Sequence, residues 1–113
     1  MQAIFEENMS TKADTPDFSD WQQIVSLFRQ ASAEGKDELL LRLLLTPDER
    51  ESLIARVNIF HELLNGERSQ RKISELLGVG VATITRGSNE LKHHDAEIRD
   101  WLSDLLLRQQ PKG

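Results

Sequence analysis

Apolar residues along this chain recur at three- and four-residue intervals between short polar breaks, a pattern that predicts six helices and no internal repeat. Residues 1–16 are mostly polar and aperiodic, and are expected to form a disordered arm. The first helix begins near Asp17, sets Trp21, Ile24, Val25 and Phe28 on one face, and stops by Gly35. The second, about 36–45, is apolar on nearly all sides except at Arg42. Such a helix has to be enclosed, and in so small a protein a second subunit is the expected cover. The third is the best signalled, with Thr46 at the N-cap, Pro47 at the first helical position and Glu49 placed to close a capping box. Its buried stripe is expected to be Leu53, Val57, Phe60 and Leu64, and Asn65-Gly66 ends it. The fourth runs from Ser69, a good N-cap, to Leu77 and stops at Gly78. The fifth runs from Gly80 or Val81 to Lys92. The sixth starts at Asp95, turns Ile98, Trp101, Leu102, Leu105 and Leu106 inward, and ends before Pro111.

Composition agrees with an all-α fold. The 17 Leu outnumber 7 Ile and 4 Val, a ratio that favours helix over sheet. With 113 residues there is room for one domain, expected over 17–109 with a short tail at 110–113. The absence of Cys excludes disulfides, thiolate zinc sites and cysteine catalysis. The N-terminus turns acidic at Glu6 and Glu7 and does not read as a signal peptide. Arg42 divides the longest leucine runs, so no membrane span is expected and the protein reads as soluble and cytoplasmic.

Charge singles out one segment. The chain carries −5 overall, which argues against indiscriminate nucleic-acid binding. Between residues 66 and 92, however, five basic residues (Arg68, Arg71, Lys72, Arg86, Lys92) face three acidic ones (Glu67, Glu75, Glu90). That segment is +2 and the remainder therefore −7. The same stretch has the pattern of a helix-turn-helix over about 69–92: a short helix, a turn on Gly78, and a second helix whose first turns are small and hydroxylated. Ile73, Leu76 and Ile84 are placed to pack the pair together, and Val81, Ala82, Thr83 and Thr85 fall where a reading helix meets base edges. From the pattern alone, the other reading is an ordinary helical hairpin with a solvated face.

Leu43-Leu-Leu-Thr-Pro-Asp-Glu-Arg-Glu51, Ala55-Arg-Val57 and Ala82-Thr-Ile-Thr-Arg-Gly-Ser-Asn89, at their observed spacing, resemble the trp repressor family over about residues 21–107. The resemblance implies a six-helix subunit intertwined with a second copy as a homodimer, which accounts for the apolar second helix. It also implies a repressor that binds palindromic double-stranded operator DNA when loaded with L-tryptophan, shutting off tryptophan biosynthesis or transport genes. In that pattern Arg56 and Arg86 place guanidinium planes against the indole, Thr46 helps hold the carboxylate, Gly87 leaves room beside the ring, and the Leu43 and Leu45 carbonyls face the ammonium group. A cation–π contact of that kind is worth roughly 0.5–2 kcal/mol. Read without the family pattern, Arg56 is better taken as a solvated side chain or a pair with a distant acid, and Arg86 as a phosphate contact.

The resemblance further gives Arg71 a guanine contact through its bidentate fork. It assigns phosphate or positioning roles to Gln70, Thr83, Ser88, Asn89 and Lys92, with Lys72 close by, and implies base contacts at Val81, Ala82 and Thr85 made largely through water. Two positions depart from it. Glu90 stands where familiar members carry a small hydroxyl residue, and its carboxylate either pairs with the ligand's ammonium or swings into solvent. Ser74 replaces a basic residue. No catalytic or metal constellation is expected: His61-Glu62 lacks a second histidine, His93-His94 lies at a helix boundary, and Ser69 and Ser88 lack an acid–base partner. Two rivals are a helix-turn-helix regulator that answers to another ligand, and a helical protein-interaction module.

Overall fold

Several helix starts in this chain are set by side chains that satisfy the backbone groups a helix leaves open. The computed structural model describes residues 14–108 and contains, among them, six α-helices and no strand. These are α1 (Trp21–Ala33), α2 (Asp37–Leu44), α3 (Pro47–Asn65), α4 (Gln70–Leu77), α5 (Val81–Lys92) and α6 (Ala96–Arg108). Of the expected arm, residues 1–13 lie outside the described residues, as does the tail 110–113. Helix α1 starts at Trp21, later than the expected start near Asp17, because a complete capping box forms one turn further on. Asp20 Oδ1 accepts from Gln23 N–H at 2.9 Å, and Gln23 Oε1 accepts from Asp20 N–H at 3.0 Å. Thr46 and Glu49 cap α3 in the expected way, with Thr46 Oγ1 accepting at 3.1 Å and Glu49 Oε1 at 2.8 Å.

The chain forms two compact units that divide between Leu45 and Thr46. In the first, α1 packs on α2 as a helical hairpin. Leu39, Leu43 and Leu44 of α2 are exposed, so the hairpin leaves its apolar helix partly uncovered.

In the second unit, α4, α5 and α6 each pack on α3, and α4 packs on α5. Its centre is Ile59, Ile73 and Ile84, one from each of α3, α4 and α5, with Leu63, Leu77 and Val79 around them. This changes the expected burial of α3. Ile59 is the residue it buries, whereas Leu53 and Val57 of the expected stripe are exposed and Phe60 and Leu64 half-buried. Helix α3 carries Leu53, Ile54, Val57, Ile59, Phe60, Leu63 and Leu64, so more than one apolar face competes, and α4 and α5 take the face containing Ile59 and Leu63. On α6, Ile98 and Trp101 are likewise exposed, while Leu102, Leu105 and Leu106 are half-buried.

Candidate functional site

The 69–92 segment is built as a tied pair of helices. Ser69 opens α4 by accepting the Lys72 N–H at 3.2 Å. Gly78 ends it at φ 69°, ψ 32°, a left-handed conformation that costs glycine little, and its N–H returns to the Ser74 carbonyl at 2.9 Å. Ser74 also donates its hydroxyl to the Val79 carbonyl, fastening the turn to the helix before it. Thr85 Oγ1 then donates to Gln70 Oε1 across the two helices at 3.1 Å. Ile73 and Ile84 are fully buried behind these polar ties. Leu76, expected to join them, is exposed, and its neighbour Leu77 packs there instead, about 100° further round the helix.

The outer face of this pair is polar and open. Arg71 and Lys72 stand exposed on the first turn of α4, and both lie beside Glu75, at 4.0 and 3.9 Å. Pairs so exposed are weak, and an incoming phosphate can displace the carboxylate. On α5, Val81, Ala82, Thr85, Asn89 and Lys92 are exposed, Thr83 and Ser88 half-buried. Arg86 folds back along its own helix, its Nη2 donating to Thr83 Oγ1 at 3.2 Å. A second tie, from Arg68 Nη1 to the largely buried Glu62 at 2.7 Å, joins the segment before α4 to α3.

Behind α5 the second unit has an open pocket of about 240 Å³ formed by α3, α5 and α6. Arg56 and Phe60 line it from α3, Glu90 and Leu91 from α5, His94 from the following turn, and Ile98, Arg99, Trp101 and Leu102 from α6. The Arg56 guanidinium lies 5.0 Å from the centre of the Phe60 ring, a cation–π arrangement within its own helix. Arg99 is committed elsewhere: its Nη1 donates to the carbonyls of Leu91 and His94, closing the C-terminal end of α5. Glu90 Oε2 lies 3.2 Å from His94 Nε2. The pocket therefore presents two arginines, of which Arg99 is tied to the end of α5, together with one carboxylate and an aromatic wall.

The predicted ligand residues are distributed unevenly. Arg56 and Glu90 meet at the pocket, while Arg86 and Gly87 are not among its lining residues. Thr46 is engaged as the cap of α3. Leu43, exposed, and Leu45, half-buried, belong to the first unit. Gly87 is buried, and a Cβ there would lie 2.9 Å from Ile59 Cγ2, so its missing side chain lets α5 approach α3. Sequence reasoning overlooked Ser74 as the turn tie, and Phe60 and His94 as pocket groups. The last two carried a readable signal, since Phe60 follows Arg56 and His94 follows Glu90 by one helical turn of four residues.

Two short helices joined by a glycine turn, tied internally and carrying exposed cations over small hydroxylated residues, define a helix-turn-helix regulator of transcription. A family model described as Trp repressor protein matches residues 19–106. A Trp operon repressor homolog of Photobacterium profundum is 69% identical over 102 residues, covering 90% of this chain and 99% of the relative. Homologs of the same description from Aliivibrio fischeri and Vibrio cholerae are 65% and 59% identical, covering 79% and 81% of this chain and 82% and 89% of the relatives. The chain belongs to the Trp repressor family of transcriptional repressors. Among the described residues no helix is long and apolar enough to cross a membrane.

Proposed function

We propose that the chain acts in the cytoplasm as a homodimeric repressor that binds palindromic operator DNA through α4 and α5 when L-tryptophan is bound, and that it has no catalytic role. The observation that carries the effector half is the pocket behind α5, where Arg56 and Glu90 converge beside apolar and aromatic groups. A free amino acid with an indole ring needs a cation for its carboxylate and apolar surface for its ring, and the pocket offers both. The roles that the family pattern gives to Leu43, Leu45, Thr46, Arg86 and Gly87 are part of the same proposal.

The dimer is supported by exposed apolar side chains on each unit: Leu39, Leu43 and Leu44 on the first, and Leu53, Ile54, Val57, Ile98 and Trp101 on the second. A chain that buries so little and exposes so much apolar surface gains from covering it with a second copy. Twin reading helices on a symmetric dimer enter successive major grooves when about 34–36 Å apart. An effector behind each α5 favours that spacing only by binding the DNA-competent arrangement more tightly than its alternative. On DNA, Arg71 reads a guanine, Gln70, Lys72, Thr83, Ser88, Asn89 and Lys92 hold phosphates or position the head, and Val81, Ala82 and Thr85 face the bases.

The test is a gel shift on a palindromic operator at fixed salt, with and without L-tryptophan. Tryptophan-dependent retardation is expected. Equal retardation in both lanes indicates a regulator that answers to another ligand, and none in either indicates a protein-interaction module.

A further inference from the structure

The cations of the 66–92 segment are not equivalent. Arg71, Lys72, Arg86 and Lys92 belong to α4 or α5, whereas Arg68 lies in the turn before α4 and reaches back across it to α3. Its Nη1 donates to Glu62 Oε1 at 2.7 Å. We propose that Arg68 and Glu62 are positioning residues for operator binding: their pair spans the turn at Gly66 and fixes the angle at which α4, and with it Arg71, leaves α3. This inference rests on the operator-binding role of α4 and α5 proposed above, and adds to it a determinant that does not itself touch DNA.

The corner between α3 and α4 is short, and Glu62 holds it at two levels. Helix α3 ends at Asn65, Gly66 turns with φ 73° and ψ 11°, and Ser69 already caps α4. The Glu62 carbonyl accepts the Gly66 N–H at 3.1 Å, while its side chain accepts from Arg68. The pair thus closes over the left-handed residue, beside the cap that opens the reading pair of helices. The apolar core shared by Ile59, Ile73 and Ile84 holds α3 against α4 and α5, but apolar attraction has no preferred direction. A charge-assisted hydrogen bond from a guanidinium has one, and it sets the angle that the core leaves free.

Enclosure separates this pair from those on the outer face. The Glu62 side chain is 13% exposed, against 61% for Glu75, so water and salt screen it less. The other carboxylate oxygen, Oε2, lies 3.9 Å from His61 Nδ1, a longer contact within α3 that does not cross the turn. The Arg68 charge is therefore spent inside the fold. Arg71 and Lys72, whose contacts to Glu75 are 4.0 and 3.9 Å, keep theirs for DNA. A shift at the corner reaches Arg71 directly, three residues after Arg68, and reaches α5 through the hydrogen bond from Thr85 to Gln70.

The test measures the affinity of the full chain, across a range of salt concentrations, for a palindromic duplex selected with the wild type at saturating L-tryptophan. The wild type is compared with Arg68→Gln, Glu62→Gln, the double variant and Arg68→Lys, at a temperature where circular dichroism melts show each one folded. Each single glutamine variant is expected to weaken binding by about fivefold, the factor that corresponds to a partly exposed pair. The double variant is expected to lose no more than the weaker single one, and Arg68→Lys, which keeps the charge, to recover most of the loss. The slope of log affinity against log salt is expected to match the wild type, because losing a phosphate contact lowers it by about one and losing an internal pair does not. Lower melting temperatures with unchanged operator affinity mark a purely structural pair and overturn the inference. A shallower slope in Arg68→Gln, with tighter binding in Glu62→Gln, makes Arg68 a phosphate contact and overturns it while leaving the operator reading intact. A wild type that retains no duplex in the selection overturns the operator reading and this inference together.

Discussion

Gly87→Ala sets two effects of known sign against each other. In the interior of a helix, alanine is favoured over glycine by about 1 kcal/mol, because glycine has more backbone freedom to lose on folding. At this position, however, the new methyl carbon lies 2.9 Å from Ile59 Cγ2, with Phe60 Cε1 at 3.7 Å and Leu63 Cδ1 at 3.8 Å. Ile59 is only 2% exposed and sits at the centre of the second unit, so it has little room to retreat. Overpacking of a filled core costs about 1–3 kcal/mol. The balance is a net loss of up to about 2 kcal/mol, and a melting temperature lower by about 4–8 °C for each kcal/mol lost. Thermal melts followed by circular dichroism at matched protein concentration measure it. The same displacement tilts α5, so operator binding weakens with and without tryptophan. A variant that melts higher than the wild type by the propensity gain alone refutes the reasoning, since it means α5 and α3 do not meet as closely as Gly87 and Ile59 require.

Three further substitutions probe separate parts of the account. Ser74→Ala removes the hydroxyl that fastens the Gly78 turn through the Val79 carbonyl, and is expected to cost about 1 kcal/mol in thermal melts and to weaken operator binding. No change in either means the tie is dispensable. Thr46→Ala deletes the cap of α3 and is expected to lower stability by about 0.5–2 kcal/mol, read by denaturant titration. Arg71→Ala is expected to cost about 1–3 kcal/mol on operator and to relax one base position in a selection experiment. Equal losses on operator and random DNA contradict a base-reading role for Arg71.

The helix boundaries were legible because they are written in local chemistry. Thr46, Pro47 and Glu49 start α3, Ser69 and Gly78 bracket α4, and Asp95 caps α6 by accepting the Ile98 N–H at 3.1 Å. The start of α1 was displaced because Asp20 and Gln23 close a full box that Asp17 cannot match. Which face each helix buries was less legible. Periodicity marks apolar positions on α3, but choosing between the Ile59–Leu63 face and the Leu53–Val57 face depends on where α4 and α5 dock, which is a long-range outcome. The site divides in the same way. The helix-turn-helix is contiguous in sequence and could be read directly, whereas the meeting of Arg56 with Glu90 joins residues 34 positions apart and exists only once α3 and α5 are packed. In the sequence Ser74 reads only as a missing charge, because its contribution to the turn depends on the Val79 carbonyl that the fold brings to it.

In the proposed mechanism one free energy couples effector and operator. This coupling is tested most directly by measuring the affinity for L-tryptophan by calorimetry on the free protein and on the protein saturated with operator. The account predicts that operator tightens tryptophan binding by the same factor by which tryptophan tightens operator binding at that salt concentration. An affinity for tryptophan that does not change when operator is bound contradicts it.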